Sequence, residues 1–370
     1  MGTSVTDICQ IMEKLAPCHL AEEWDNVGLM LGDRNWQVKK IMLALDLTQE
    51  VANQAYLQKA DMIITHHPFF FAPMKKLVCN DGKNTLVYEL IKRQIAVYSA
   101  HTNLDITEGG VNDVLADILG VTQTIVLKPI ACDSHYKLVV FVPETHCEEV
   151  LAALRTVDAG HIGNYADCAY VMEGMGQFRP LEGSSPFIGQ ESVLTKTREK
   201  RIEVLVRQMD LQKTISAVMK AHPYEEPAYD VFAMENQAAA LGLGRVGVLE
   251  NAVSLAAFAD NLKNVLSIDH VTVVDAGKQV YKVAICGGSG ADLIGEAVKV
   301  GADTLVTGDV KYHIAQEAFE AGLNLVDAGH QATEMPVLLK LRTNLQECIN
   351  SFKHDVEVCV ANESKLLRHL

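Results

Sequence analysis

Apolar residues recur along this chain with two alternating periods. Val5, Ile8, Ile11, Met12 and Leu15 fall on one stripe at helical spacing, with Asp7 and Glu13 on the other side, so an amphipathic helix is expected over 5–15. From Lys40 the texture changes to short apolar runs separated by helix-like stretches. Segments 41–47, 62–65 and 95–100 read as strands, and 50–59, 84–93 and 110–119 as helices. Strands alternating with helices in this way predict βαβ units and a mostly parallel sheet.

The texture breaks near Pro129, and two similar blocks follow. Strand, helix and strand are expected at 137–142, 147–156 and 169–173, then again at 201–206, 211–221 and 228–234. Two such blocks in tandem predict a ferredoxin-like α+β module with its own small core. The Gly-, Pro- and Ser-rich segment 174–189 between them reads as loop or hairpin. After residue 238 the first texture returns, with helices at 254–265, 291–300, 314–321 and 336–349 and strands at 281–286, 304–307 and 324–327. The economical reading is one α/β domain made of two halves, 1–128 and 238–370, interrupted by an insert at 129–237. Three domains in series is the alternative.

Bulk properties narrow the picture. A chain of 370 residues exceeds what one hydrophobic core supports, so at least two domains are expected. Its formal charge of −15 argues against a surface built to neutralise phosphate backbones, and nucleic acid is not an expected partner. The 9 cysteines are scattered with no Cys-x-x-Cys, which reads as reduced thiols and not as a disulfide or zinc framework. No apolar run approaches the roughly 20 residues that span a bilayer. Gly2 to Thr6 fits the bare myristoylation pattern, but no basic cluster follows to supply a second membrane signal. A cytoplasmic protein without a membrane partner is expected.

The chemistry sits at the ends of the inferred strands. Segment 62–65 runs into His66, His67 and Pro68, and 95–100 into His101 and Asp105. Segment 304–307 runs into Gly308 and Asp309, and 324–327 into His330 and Glu334. Ligands of open α/β sheets gather beyond the carboxyl ends of strands, so these side chains should converge. Adjacent His66 and His67 diverge on an extended backbone, which Pro68 favours. His330 and Glu334, four apart, share one face of a starting helix. An imidazole and carboxylate set suits two divalent ions such as zinc, iron or manganese, and not calcium.

Three other motifs carry less. The glycines at 242, 244 and 247 satisfy a dinucleotide fingerprint formally but lie in an expected strand, where they read as backbone accommodation. Segment 287–290, Gly-Gly-Ser-Gly, falls between a strand and a helix and could cradle an anion or simply turn. The His222 to Pro227 segment, HPYEEP, reads as a rigid turn in the insert before it reads as a ligand site.

At these residues the sequence resembles the GTP cyclohydrolase 1 type 2 homolog family, also known as Nif-three-like proteins. The matching segments are WDNVGLMLG at 24–32, THHP at 65–68, SAHTNLD at 99–105, GGVN at 109–112, TGD at 307–309, and Asp327 through His330 to Glu334. The middle region resembles the PII-like or CutA-like module of longer members. The resemblance implies a dinuclear site held by His66, His67, Asp105, His330 and Glu334, and a homohexameric ring whose metal sites face an internal cavity, with the insert over its openings.

The expected function is metal-dependent hydrolysis. A nucleotide is the substrate the family name suggests, with segment 287–290 receiving its phosphate. His101 is the expected proton-transfer group, since histidine titrates near neutrality, and Asp25 and Asp309 are further candidates. The rival expectation is a non-catalytic metal-binding regulatory or scaffold protein whose PII-like module senses a small ligand.

Overall fold

In the computed structural model, which describes residues 2–79, 82–132, 135–157, 159–235 and 240–367, the first apolar stripe folds as the helix Val5–Leu15. Ser4 starts it with a capping box: its hydroxyl accepts the Asp7 N–H, and the Asp7 carboxylate accepts the Ser4 N–H. The chain divides into two compact units, Met1–Ala131 with Leu241–Leu370, and Cys132–Ala240.

The outer unit holds two mixed sheets where a single, mostly parallel one was expected. In the first, Gly28–Leu31, Ala96–Ser99, Met62–Thr65, Lys40–Ala44 and Glu357–Val360 lie side by side in that order. All its pairings are parallel except that of Gly28–Leu31. Ile41 and Leu43 face one core with the helices Val5–Leu15 and Pro336–Ser351. Met42 and Ala44 face the other, with Gln49–Leu57 and Gly82–Lys92. Both faces are therefore covered, which is why these strands read as continuous apolar runs and not as alternation.

The second sheet runs Thr272–Val274, Asn324–Asp327, Thr304–Thr307, Val280–Ile285, Ala240–Val253 and Thr122–Cys132. The Val280–Ile285, Thr304–Thr307 and Asn324–Asp327 strands are parallel, and Thr272–Val274 and Ala240–Val253 pair antiparallel to their neighbours Asn324–Asp327 and Val280–Ile285. Each half of the sequence sends one strand into the other's sheet. Thr122–Cys132 pairs in the second sheet, and Glu357–Val360 returns to the first.

The glycines at 242 and 247 are explained by this pairing. A Cβ on Gly242 would sit 2.1 Å from the Lys128 carbonyl oxygen, and one on Gly247 would sit 2.4 Å from that of Thr122. They admit a neighbouring backbone, the accommodation that their place in a strand predicts. Between them, Arg245 is buried and ion-paired side-on, through Nε and Nη2, to both carboxylate oxygens of Asp113 on the helix Val111–Ile118. Its remaining N–H groups donate to the carbonyls of Thr107, Gly242 and Gly244.

The unit Cys132–Ala240 is a four-stranded antiparallel sheet in the order Ala169–Phe178, Thr195–Arg207, His135–Pro143, Tyr229–Ala233. Leu138, Val140, Val142, Ile202 and Val204 pack on the helices Cys147–Thr156 and Leu211–Ala221 through Val150, Leu154 and Val218. The strand expected to end at 173 continues to Phe178 as one arm of a long hairpin. In the HPYEEP turn, His222 accepts the Tyr224 N–H at Nδ1 and donates from Nε2 to the Phe141 carbonyl. Both ring nitrogens are spent, and burial holds the pKa below the usual value, so His222 is a neutral structural residue. Among the described residues no helix is long and apolar enough to cross a membrane.

Candidate functional site

The parallel strands of both sheets of the outer unit deliver their carboxyl ends to one place. From the first sheet come Asp46, His66, His67, His101 and Asp105; from the second come Gly288, Asp309, His330 and Glu334. The strand ends at Thr65 and the chain bends at the histidine pair, so that both His66 N–H and His67 N–H donate to the neighbouring strand, at Ala44 and Leu45. The two rings therefore do not diverge as an extended backbone predicts: their centroids are 5.0 Å apart, and both turn Nε2 toward Glu334. His330 and Glu334 open and close one short helix, as their spacing predicts.

Glu334 is the hub. Its Oε1 lies 3.0 Å from His330 Nε2 and 3.5 Å from His66 Nε2, and its Oε2 lies 3.1 Å from His67 Nε2. Asp105 Oδ1 is 3.6 Å from His66 Nε2. Two imidazole nitrogens, His67 Nε2 and His330 Nε2, face each other at 3.3 Å. The atoms of His67, His330 and Glu334 are close enough together to hold a metal ion, as are those of His66, His67 and His101.

Every histidine in the cluster has its Nδ1 committed elsewhere. His66 Nδ1 donates to the Ala100 carbonyl at 2.9 Å, and His67 Nδ1 to Asp46 at 3.0 Å. His101 Nδ1 donates to Asp25 at 2.9 Å, and His330 Nδ1 to Asp309 at 2.7 Å. A proton fixed on Nδ1 leaves the Nε2 lone pair aimed at the centre, the outer-shell arrangement typical of metal-ligating histidine. Asp309 adopts φ +58°, the left-handed region that Asp tolerates better than most residues, and so reaches back to His330.

The cluster carries three buried polar atoms with no hydrogen-bond partner: His66 Nε2, Asp105 Oδ1 and Glu334 Oε2. Glu334 Oε2 is near His67 but lacks the alignment of a hydrogen bond. Buried polar atoms are otherwise almost always satisfied. These three belong to residues that the strand-end pattern singles out as ligands. The chemistry of the donor set and the orphaned atoms fit a bound divalent cation.

Protonation tells the same story. Burial pushes the His66 and His67 imidazoles toward neutrality, but Asp105 and Glu334 outweigh it at His66, and Asp46 and Glu334 raise His67 to about 10. The hydrogen bond to Glu334 raises His330 to about 9. Burial lifts Asp105 to about 6, while the surrounding histidines overcome burial and hold Glu334 well below the usual range. The buried carboxylates favour positive charge at this place, which protons on the histidines supply and a cation could supply instead.

The 287–290 segment does not cradle an anion. Gly287 N–H donates to Asn112, Gly288 N–H to Thr333 and Gly290 N–H to Thr307. Its role is room: a Cβ on Gly288, at φ +64°, would lie 2.2 Å from Glu334 Oε1. Because Glu334 is buried, its carboxylate would have to leave its position. Gly288→Ala is therefore expected to weaken metal binding by roughly 10- to 100-fold, as loss of an outer-shell partner does. Circular dichroism should stay native; metal titration should not.

Three positioning residues were not anticipated from sequence. Asp46 fell inside the strand expected over 41–47; the observed strand ends at Ala44, which leaves Asp46 past the strand end, against His67. Asn112 bridges the halves, donating to the Asp105 carbonyl and accepting from Gly287. Asp327 accepts from Val310 and Gly329 and so orders the turns that carry Asp309 and His330.

The chain is similar to known proteins along nearly its whole length. The model of the family Duf34/NIF3 (NGG1p interacting factor 3) matches residues 3–366. The GTP cyclohydrolase 1 type 2 homolog of Halalkalibacterium halodurans is 39% identical over 356 residues, 96% of this chain and 95% of that protein. The Bacillus subtilis protein of the same name is 43% identical over 329 residues, 89% of this chain and 88% of the relative. A crystal structure of a Bacillus cereus protein related to NIF3 superposes with TM-score 0.91 at 39% identity, covering 100% of both chains.

Proposed function

This chain belongs to the Duf34/NIF3 family, and from that premise we propose that it is a dinuclear metal-dependent hydrolase acting on a nucleotide or a related cyclic substrate. The observation that carries the reading is the trio of orphaned atoms around Glu334. In this reading His66, His67, Asp105, His330 and Glu334 would together hold two divalent ions, with Glu334 the carboxylate nearest to three of the imidazoles. Zinc, iron or manganese suits the donors. Such a pair would supply a hydroxide nucleophile at neutral pH and polarise the bond under attack.

His101 holds and moves the proton in this proposal. Its ring centroid is 5.3 Å from that of His66 and 5.5 Å from that of His67. Asp25 fixes it from behind. Burial works against the Asp25 carboxylate, but hydrogen bonds from His101 and Thr102 hold its pKa down at about 2. Asp25 thus remains an acceptor and keeps the His101 proton on Nδ1, with Nε2 free to take a second one.

The proposal extends to the organisation of the chain. We read 1–128 and 238–370 as two halves of one metal-binding domain and 129–237 as a ferredoxin-like, PII-like insert. The insert reading is supported by its strand order, which in sequence terms is second, third, first, fourth, with two crossover helices. By family resemblance we take the assembly to be a homohexameric ring in the cytoplasm.

A turnover screen tests the function. Metal-loaded protein, offered GTP, other nucleotides, phosphoesters and cyclic amides, should hydrolyse one class. His101→Ala should keep its metal and lose roughly 100-fold or more of that rate, as loss of a general acid–base group does. If His101→Ala loses metal, His101 is a ligand and not the proton carrier. If no substrate turns over while the insert binds a small ligand, the regulatory reading replaces this one.

A further inference from the structure

Trp24, Asp25 and Asn26 are consecutive, and each meets the rim of the metal-competent cluster differently. Asp25 fixes His101. Asn26 donates from Nδ2 to the Phe70 carbonyl at 2.5 Å, tying this segment to the turn after the His66–His67 pair. The Trp24 ring meets the His101 ring edge-on, at 5.9 Å and 78°. From that turn the Phe71 ring meets the same imidazole at 5.9 Å and 85°.

Both aromatic rings are open to solvent, Trp24 at 63% and Phe71 at 57% exposure. Large rings are costly to leave in water, and two of them against one histidine beside a metal-competent cluster form a prepared surface. Trp36, by contrast, is partly buried against the core. The mixture matters: apolar faces flank a polar imidazole, which suits a flat ring with a polar edge better than a broad apolar partner. Lys75 and Lys76 lie exposed on the segment that begins at Phe71, cations suited to a phosphate in a chain of net charge −15.

We propose that Trp24 and Phe71 form a subsite for the heteroaromatic ring of a nucleoside phosphate, stacking the base beside His101. The proposal rests on the hydrolase reading of the same cluster and narrows its substrate class. Trp24, Asp25 and Asn26 then act as one wall: Trp24 holds the base, Asp25 the imidazole and Asn26 the turn that brings Phe71.

The test uses the full-length, zinc-loaded protein with the four ribonucleoside monophosphates, and ribose 5-phosphate as the ring-free control. Binding is read by calorimetry and by tryptophan fluorescence, to which only Trp24 and Trp36 contribute. At least one nucleotide should bind more tightly than ribose 5-phosphate and change the emission. Trp24→Ala should weaken it by roughly 10-fold or more, the loss of one base–aromatic stack, and Trp24→Phe should recover most of that. Metal content should be equal in all three proteins. The subsite is overturned if no nucleotide outbinds the ring-free control or if Trp24→Ala binds nucleotide as the parent does. It is also overturned if Trp24→Ala alters only the oligomeric state, since a second copy then covers the rings. Binding is read without turnover, so nucleotide stacking with no hydrolysis removes the hydrolase reading alone, and hydrolysis indifferent to Trp24 removes the subsite alone.

Discussion

Glu334→Ala is expected to abolish tight metal binding while leaving the fold standing. Glu334 is 3% exposed and, among the described residues, is the one side chain whose oxygens approach His66, His67 and His330 together. Its loss leaves three imidazoles with no shared anion and removes one of the proposed metal ligands. Affinity for zinc should fall by more than about 100-fold, beyond what loss of an outer-shell partner costs. Competition against a chromophoric chelator measures it. Glu334→Gln keeps the volume and removes the charge, so an equal loss in that variant assigns the effect to ligation and not to packing.

Arg245→Ala should produce the largest loss of stability. Arg245 is buried, its pairing to Asp113 is two-pronged, and its other donors satisfy three backbone carbonyls. Removing one partner of a buried pair strands the other, at a cost of about 3 kcal/mol; the partial exposure of Asp113 places the effect at the lower end of the known range. Replacing both residues, Arg245→Met with Asp113→Leu, should cost less than Arg245→Ala alone. Urea unfolding checks both. A change below about 1 kcal/mol in the single variant would show that the pair is not the clasp it resembles. Because Asp113 follows Asn112, which joins Asp105 to Gly287, the same substitution should also loosen the metal cluster.

The metal-competent cluster was legible in the sequence because its physical rule is local. An apolar run that ends in histidine or carboxylate marks a strand end, and parallel strands collect their carboxyl ends at one edge. That rule applied four times placed His66, His67, Asp105, His330 and Glu334 together, with His101 among them. It missed Asp46, because the strand expected over 41–47 enclosed that residue, whereas the observed strand stops at Ala44 and leaves Asp46 beyond its end, against His67.

The division into two sheets was not legible. It depends on Thr122–Cys132 and Glu357–Val360, whose pairing is decided by partners more than a hundred residues away. Pro129 read as a break, yet it lies within the Thr122–Cys132 strand at the end of the sheet order, where a missing N–H is tolerated. The 287–290 segment misled for a related reason. Glycines that make space and glycines that free their N–H groups for an anion look alike until the neighbours arrive, here Glu334, Asn112 and Thr333.

Plasma mass spectrometry of the protein purified without chelator, run beside Glu334→Ala, tests the central claim most directly. Two transition-metal ions per chain in the parent, and loss of both in the variant, is the predicted result. A parent that binds no transition metal even when it is supplied, or a variant that retains as much as the parent, would contradict it.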